Sequence, residues 1–368
     1  MHPNVPHLRF PEFHGEWEKC RIGDYGKVVT GNTPPTKDVE NYIDGQYLWA
    51  SPADLGTIKS ITETNTKLSS KGFAKTRILP KGSVLVTCIG STIGKMGMAM
   101  KEMATNQQIN SVVVNEDNNN EFVYYAIQSA FPRYLSSIAV QAVPIISKST
   151  FEQLSNKRPC LQEQEKIGSL FALLDERIAT QSKLIEKLES LIKGIAQKIV
   201  HSNKANVRLS ECVECSSSTL QESDVCEHGA YPVYGANGIV GYLDNYNTEG
   251  EAVYIIKDGS GVGTVSYVTG KCSATGTLNT LQAKEGYSLQ YLYYLLKVFN
   301  FEPYKTGMAI PHIYFKDYGK AKFFCPSYTE QLQYAQSLSA IDSKLLVEKN
   351  ILTSLSMQKK YLLRQMFI

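Results

Sequence analysis

Cysteine and histidine side chains near the middle of the chain could hold a metal ion. Cys212 and Cys215 have the two-residue spacing of structural zinc sites, and Cys226 and His228 would complete a set of four ligands. The matching segment of the first half of the chain, around Tyr25, has no such ligands. We therefore predict no metal site, with zinc at these four residues left as an open alternative.

Three further segments look like catalytic motifs but lack residues that the chemistry requires. Residues 90–95 have three residues between glycines where a phosphate loop has four, and Met96 follows where a hydroxyl would reach magnesium. In residues 259–263 the third glycine comes too early for a dinucleotide fingerprint. Residues 32–36 lack the spacing and the aromatic side chain with which an adenine methyltransferase clamps a flipped base. We predict tight turns at both glycine-rich segments, no catalytic residues, and no cofactor bound by this chain.

Composition places the chain among ordinary globular proteins. Its 368 residues suggest two or three domains, and it has 43% hydrophobic and 20% charged residues. No secretory signal and no long apolar run is visible, and eight scattered cysteines favour reduced thiols, so we expect a cytoplasmic protein without a membrane span. The net charge of +3 does not by itself indicate a nucleic-acid partner.

The elements that carry these residues occur twice, at an offset of 167 to 169 residues. Each copy begins with short β-type runs bounded by Gly and Asn, such as residues 83–88 and 252–256. The matching segments are residues 82–85 with 250–253, 90–94 with 259–263, 124–127 with 293–296, 142–146 with 309–313, and Pro159, Glu163 and Gln164 with Pro326, Glu330 and Gln331.

Each copy ends in a helical pattern whose apolar residues alternate at spacings of four and three. Such a helix, about 38 residues or roughly 57 Å long, would expose its apolar stripe unless it had a partner. We therefore predict that the two helices form an internal coiled coil that acts as a spacer, with Gln181 and Glu348 as matching polar positions that set its register. The alternative is that each helix packs only on its own domain. The predicted seam consists of Ile167, Phe171, Leu174, Ile178, Gln181, Ile185, Leu188, Leu338, Ile341, Leu345, Glu348, Leu352 and Leu355.

The order of these motifs resembles that of the specificity subunits of type I restriction-modification systems. The resemblance covers nearly the whole chain. It rests on Leu-Arg-Phe-Pro-Glu-Phe at residues 8–13 with Trp17, on residues 79–85, 93–95 and 104–110 in the first copy, on residues 231–242 and 262–265 in the second, and on the Pro-x-Ile and Pro, Glu-Gln segments that close each copy.

This resemblance implies an α+β protein with two β-rich target-recognition domains and two long helices paired as an antiparallel coiled coil. It implies a non-catalytic subunit that binds an asymmetric, bipartite double-stranded DNA sequence. Two modification subunits would methylate adenine with S-adenosylmethionine, and restriction subunits would use ATP and magnesium. The predicted segments are an N-terminal segment at 1–16, recognition domains at 17–158 and 206–325, and helical spacers at 159–205 and 326–368.

The charge distribution suggests where DNA would bind. From residue 59 to residue 101 there are eight basic residues and one acid, whereas from residue 226 to residue 271 there are two lysines and five acids. The first domain therefore looks better equipped for phosphate contacts than the second. An adaptor with two domains that bind protein or carbohydrate remains the alternative. The predicted DNA-binding residues are Lys71, Lys75, Arg77, Asn106 and Gln107, and, in the second domain, Lys305, Lys316, Lys320 and Lys322.

Overall fold

Two compact units make up the fold. The computed structural model describes residues 4–137, 144–307 and 310–368, so residues 142, 143 and 309 of the repeat matches lie outside the described residues. Unit 1 comprises Met1–Thr180 and Leu352–Ile368, and unit 2 comprises Gln181–Ile351. The division into five segments expected from the sequence stays a prediction.

Unit 1 contains a five-stranded sheet, a three-stranded sheet and a two-stranded sheet. The strand orders are β2-β9-β6-β7-β4, β5-β3-β8 and β1-β10. The strands are β1 (Glu18–Arg21), β2 (Gly26–Thr30), β3 (Tyr47–Ala50), β4 (Ser60–Ile61), β5 (Thr66–Leu68), β6 (Val84–Thr87), β7 (Met96–Ala99), β8 (Ala104–Thr105), β9 (Ile109–Val114) and β10 (Ser155–Arg158). The helices are α1 (Ser70–Phe73), α2 (Asn120–Ser137), α3 (Lys148–Gln153) and the first part of α4 (Leu161–Ser202).

Unit 2 contains sheets of four, three and two strands. The strand orders are β12-β18-β15-β16, β14-β13-β17 and β11-β19. The strands are β11 (Val207–Arg208), β12 (Val213–Ser217), β13 (Tyr231–Gly235), β14 (Gly238–Leu243), β15 (Ala252–Ile256), β16 (Val265–Val268), β17 (Ser273–Ala274), β18 (Leu278–Ala283) and β19 (Lys322–Phe323). The helices are α5 (Leu209–Cys212), α6 (Leu289–Lys297), α7 (Phe315–Tyr318) and most of α8 (Tyr328–Met366).

The two units share one topology, which confirms the predicted duplication and the α+β class. Removing the short strand β4 from the large sheet of unit 1 leaves the order β2-β9-β6-β7, which corresponds to β12-β18-β15-β16 in unit 2. In the smaller sheets, β3 pairs antiparallel with β5 and parallel with β8, as β13 does with β14 and β17. The predicted turns are also present, with positive φ at Gly90 and Gly94 and again at Gly259 and Gly263.

The large sheet of unit 1 is buried on both faces. Every residue of β6 is buried. Because successive side chains of a strand point to opposite faces, Val84 and Val86 join one apolar core and Leu85 joins another. The first core also contains Phe171 of α4 and Phe367, which follows α8, with their ring centroids 5.7 Å apart. The beginning of α4 and the end of α8 thus both lie in the core of this unit.

A glutamine near the start of each long helix joins it to the shorter helix of its unit. Gln164 accepts a hydrogen bond from the backbone N–H of Asn119, with 3.1 Å between nitrogen and Oε1, and Nε2 donates to the Pro159 carbonyl. The Asn119 side chain in turn accepts a hydrogen bond from the Phe122 N–H at the start of α2. In unit 2, Gln331 makes the same pair of bonds, to the N–H of Ser288 at 2.9 Å and to the Pro326 carbonyl at 2.9 Å. The glutamine of the Pro, Glu-Gln motif therefore connects each long helix to the shorter helix of its unit.

The long helices have the lengths and the burial pattern that the apolar spacing predicts. Helix α4 has 42 residues and α8 has 39. All thirteen predicted seam residues are buried or half-buried. In unit 1, Phe171 packs near Phe367 and Asp175 pairs with Lys359, so residues later on α4 meet earlier residues of the C-terminal segment and the helices are antiparallel there.

The two polar seam residues meet in unit 2. Gln181 is 5% and Glu348 is 4% exposed. The Gln181 Nε2 donates to the Glu348 carbonyl at 3.1 Å and also to its carboxylate, which pairs with Lys344. Each long helix also packs on its own domain. The Phe171 ring lies 4.9 Å from the Tyr125 ring, and the Tyr334 ring lies 6.0 Å from the Tyr291 ring, measured between centroids. The continuous coiled coil and its role in setting the register remain predictions.

Candidate nucleic-acid interface

The loop that follows β2 brings three separate segments of unit 1 together. The Asn32 N–H donates to the Thr105 carbonyl at 2.9 Å. Its side chain donates from Nδ2 to the Lys75 carbonyl and accepts the Arg77 N–H, both at 2.9 Å. Gly31 lets the chains approach this closely, because a Cβ there would lie 2.2 Å from the carbonyl oxygens of Thr105 and Asn106.

Exposed and half-buried polar side chains surround this loop. Thr33 donates from its hydroxyl to Gln107 Oε1 at 2.6 Å, and the Arg77 guanidinium donates to the Thr30 carbonyl at 2.7 Å. We call Asn32, Thr33, Lys75, Arg77 and Gln107 the first candidate face. Three of these residues, Lys75, Arg77 and Gln107, are predicted DNA-binding residues. Asn32 and Thr33 were not predicted to bind DNA.

The basic stretch of unit 1 is less positive in three dimensions than in sequence. Lys75 Nζ lies 2.9 Å from the Asp38 carboxylate, and this bond holds the pKa of Asp38 below its usual value. Lys71 pairs with Glu40, which raises the pKa of Lys71. Lys59 is largely buried and lies 2.7 Å from the Glu121 carboxylate. The count along the sequence therefore overstates the positive charge at this surface, because these acids come from outside the stretch.

Asn106 has a structural role in a turn. It is 8% exposed, its Oδ1 accepts the Gln108 N–H at 2.9 Å, and its Nδ2 donates to the Gln108 side chain at 3.0 Å. Both polar atoms of the amide are thereby used within the protein. The first candidate face therefore excludes Asn106.

The lysines predicted for the second domain lie elsewhere in its fold. Lys322 is on β19, whose counterpart in unit 1 is β10, a strand that pairs with β1 and carries no residue of the first candidate face. Lys316 lies within α7 and covers the Tyr314 ring, whereas Lys320 follows α7 and its Nζ is 3.7 Å from Asp317. Lys305 Nζ is bonded to Glu302 at 2.6 Å. These residues do not form the equivalent of the first candidate face.

Strand register identifies the equivalent positions in unit 2. Thr30 pairs with Asn110 across β2 and β9, and its hydroxyl donates to the Asn110 side chain at 2.7 Å. Ser217 makes the same bond to Asn279 across β12 and β18 at 3.0 Å. Consequently Ser218 and Thr219, which follow β12, take the places of Gly31 and Asn32.

A second pair of bridges aligns the remaining segment. The bridge between Leu79 and Met103 matches the bridge between Thr248 and Cys272. Counting back four residues from each bridge places Asp244 where unit 1 has Lys75, and counting back two places Tyr246 where it has Arg77. The basic positions of the first candidate face are therefore acidic or uncharged in unit 2.

An asparagine again holds this region together. Asn247 Nδ2 donates to the Ala274 carbonyl and to the Ser218 hydroxyl, both at 3.2 Å, and its Oδ1 accepts the Ala274 N–H at 3.0 Å. A cavity of about 330 Å³ opens beside these residues. We call Ser218, Thr219, Asn245, Tyr246 and Asn247 the second candidate face.

The four residues left open as alternative zinc ligands, Cys212, Cys215, Cys226 and His228, are not gathered in one place. The Cys212 sulfur lies 3.8 Å from the sulfur of Cys325, in a buried position, whereas Cys226 is exposed. Within residues 4–137, 144–307 and 310–368, no group of three or more potential ligands could hold a metal ion. None of the helices in these same ranges is long and apolar enough to cross a membrane.

Two units that share one topology and carry polar side chains at equivalent places define a duplicated protein. The sequence pattern of the type I restriction modification DNA specificity domain matches the chain twice, at residues 14–190 and 202–357. The chain belongs to this family.

Individual relatives agree with this assignment. The type I restriction enzyme MjaIX specificity subunit of Methanocaldococcus jannaschii is 29% identical over 182 residues, 48% of this chain and 42% of that protein. The HindI specificity subunit of Haemophilus influenzae is 30% identical over 164 residues, 42% of this chain and 35% of that protein. The chain thus spans less than half the length of these two relatives.

A solved structure shows the same fold over the whole chain. The type I restriction-modification S subunit from M. genitalium superposes with a TM-score of 0.72, covering 99% of both chains at 19% identity. The likeness in fold therefore extends over both units and both long helices.

Proposed function

We propose that this chain is the non-catalytic DNA-specificity subunit of a type I restriction-modification complex, and that it reads an asymmetric, bipartite target with one half-site per domain. The observation that carries the proposal is the double match to a DNA specificity domain, one match per unit. A duplicated reader whose two faces differ in chemistry would read two different half-sites.

The first candidate face would combine phosphate contacts with base contacts. Lys75 and Arg77 supply cations, while Thr33 and Gln107 supply a hydroxyl and an amide that can form hydrogen bonds with base edges. Lys71, which is exposed beside Glu40, would add a phosphate contact at the edge. DNA would have to displace Asp38 and Glu40 from the two lysines. Each lysine–phosphate contact would then release counterions from the DNA, so we expect the affinity to fall as the salt concentration rises.

The second candidate face would depend less on charge. Its hydroxyl and amide groups can donate to and accept from base edges, and Tyr246 adds an aromatic ring that lies under Lys271, with Nζ 4.7 Å from the ring centroid. Fewer cations at this face would give weaker, less salt-dependent binding by unit 2.

The long helices would carry the spacer and docking roles expected from the sequence. Modification subunits that methylate adenine with S-adenosylmethionine and restriction subunits that use ATP and magnesium would bind to them. The chain itself would contribute target selection.

Co-expression with the modification subunit, followed by genome-wide mapping of methylated adenines, tests the proposal. We expect methylation in two unlike short motifs separated by a fixed number of unspecified bases. Methylation without any bipartite motif would count against the proposed function.

A further inference from the structure

A tyrosine and an aspartate meet at the same place in both units. In unit 1, the Tyr125 hydroxyl donates to Asp175 Oδ2 at 2.6 Å. In unit 2, the Tyr294 hydroxyl donates to Asp342 Oδ2 at 3.4 Å. The tyrosines lie on α2 and α6, and the aspartates lie on the long helices α4 and α8. In both units another tyrosine comes directly before the bonded one, Tyr124 in unit 1 and Tyr293 in unit 2. Burial, together with the nearby carboxylate, raises the pKa of both tyrosines.

In unit 1 this pair is part of a site that holds a lysine ammonium. Lys59 Nζ lies 2.7 Å from the Glu121 carboxylate, 2.9 Å from the Tyr125 hydroxyl and 3.7 Å from the Asp175 carboxylate. It also lies 5.1 Å from the centroid of the Tyr125 ring, and its side chain is 11% exposed. Lys359 pairs with Asp175 from another side. The carboxylates and the ring together stabilise a buried cation.

Unit 2 has the same pair of tyrosines and the same aspartate at an open pocket of about 310 Å³. Asp342 lines it together with Tyr267, Tyr293, Tyr294 and Gln290, which takes the place of Glu121. Within the described residues, no Lys or Arg nitrogen lies within ion-pair distance of Asp342. Asp342 is therefore a half-buried carboxylate beside aromatic rings, as is its counterpart Asp175, which helps to hold a cation in unit 1.

The lysines near this pocket are directed to other groups. Lys349, at the rim, places its Nζ 2.6 Å from the Glu189 carboxylate. Lys297 places its Nζ 5.1 Å from the centroid of the Tyr293 ring, and it is not among the residues that line the pocket. In this structure neither lysine supplies Asp342 with the ammonium group that Lys59 supplies in unit 1.

We propose that the pocket formed by Tyr267, Tyr293, Tyr294 and Asp342 binds a primary alkylammonium group, the cation that Lys59 supplies in unit 1. A lysine side chain of another protein and a free aliphatic amine share this chemistry. None of the residues that line this pocket belongs to either candidate face, so substitutions can alter the two sites one at a time.

Titration of the full chain with n-butylammonium, observed by ligand-detected NMR, tests the pocket, with butan-1-ol as the neutral analogue of the same shape. We expect saturable binding of the ammonium ion and none of the alcohol. Asp342→Asn should weaken binding at least about threefold through loss of the carboxylate. Gln290→Glu should strengthen it about threefold, because it restores the acid that unit 1 has in Glu121. Glu227→Gln, the same loss of charge at an exposed residue outside the pocket, should change nothing.

The gain of affinity in Gln290→Glu keeps the test valid if Asp342→Asn fails to fold. Nα-acetyl-lysine amide distinguishes the sources of the ammonium group: binding comparable to that of butylammonium supports a lysine from another protein, and binding of butylammonium alone supports a free amine. Equal responses to butylammonium and butanol, or unchanged binding in both pocket variants, would overturn the proposal.

Discussion

The two candidate faces occupy equivalent places in the fold but offer different chemistry. Lys75 and Arg77 at the first face correspond to Asp244 and Tyr246 at the second. By contrast, the bonds that attach each long helix to the shorter helix of its unit are the same, since Gln164 and Gln331 make matching pairs of bonds. The duplicated chain therefore keeps these bonds between helices and differs in the side chains that a ligand would meet.

The largest expected difference between the units concerns the glutamate of the Pro, Glu-Gln motif. Glu163 is fully buried, where Arg9 binds both of its carboxylate oxygens at 2.7 and 2.8 Å. Glu330 is exposed and only caps α8, accepting the Ser327 hydroxyl at 2.6 Å. Glu163→Ala should lower the free energy of unfolding by about 3 kcal/mol, because it leaves a guanidinium without its partner. Glu330→Ala should cost about 1 kcal/mol, as loss of a helix cap does.

Urea unfolding followed by circular dichroism measures both changes. The double variant Arg9→Met/Glu163→Met serves as control, since removing both charges should recover part of the loss. Equal effects of the two single alanine substitutions would contradict the difference between the units.

The glutamine that connects the helices should behave alike in both units. Gln164→Met and Gln331→Met keep the size of the side chain but leave one buried N–H and one carbonyl without a partner in each case. We expect each to lower the free energy of unfolding by about 2 kcal/mol in urea titrations. A large loss in one unit with none in the other would break the claim of a common scaffold.

Exchanging one charge between the faces should move their salt dependence in opposite directions. Lys75→Gln removes one cation from the first face, and Asp244→Lys adds one to the second. In DNA titrations at several salt concentrations, log affinity decreases with log salt. The steepness of this decrease should become smaller by about 0.9 for the first variant and larger by a similar amount for the second. Identical slopes for these variants and the unaltered chain would exclude both positions from the phosphate contacts.

Local patterns in the sequence were sufficient for the repeat, the long helices and several strands. The spacing of Ile167, Phe171 and Leu174 reports a helix because neighbours along the chain determine it. The faces could not be located in this way, because Asn32 joins segments more than 40 residues apart and Asp38 neutralises a lysine 37 residues away. A signal was nevertheless present in Gly31, which precedes Asn32 and a pair of prolines and indicates a tightly held loop.

Mapping methylated adenines for two face variants, each co-expressed with the modification subunit, tests the central claim most directly. Gln107→Ala alters the first face and Asn245→Ala the second, and both side chains are exposed. If each unit reads one half-site, the first variant should relax one half of the motif, and the second should relax only the other half. Loss of specificity in both halves from either variant, or unchanged motifs in both, would contradict the assignment of one reader to each unit.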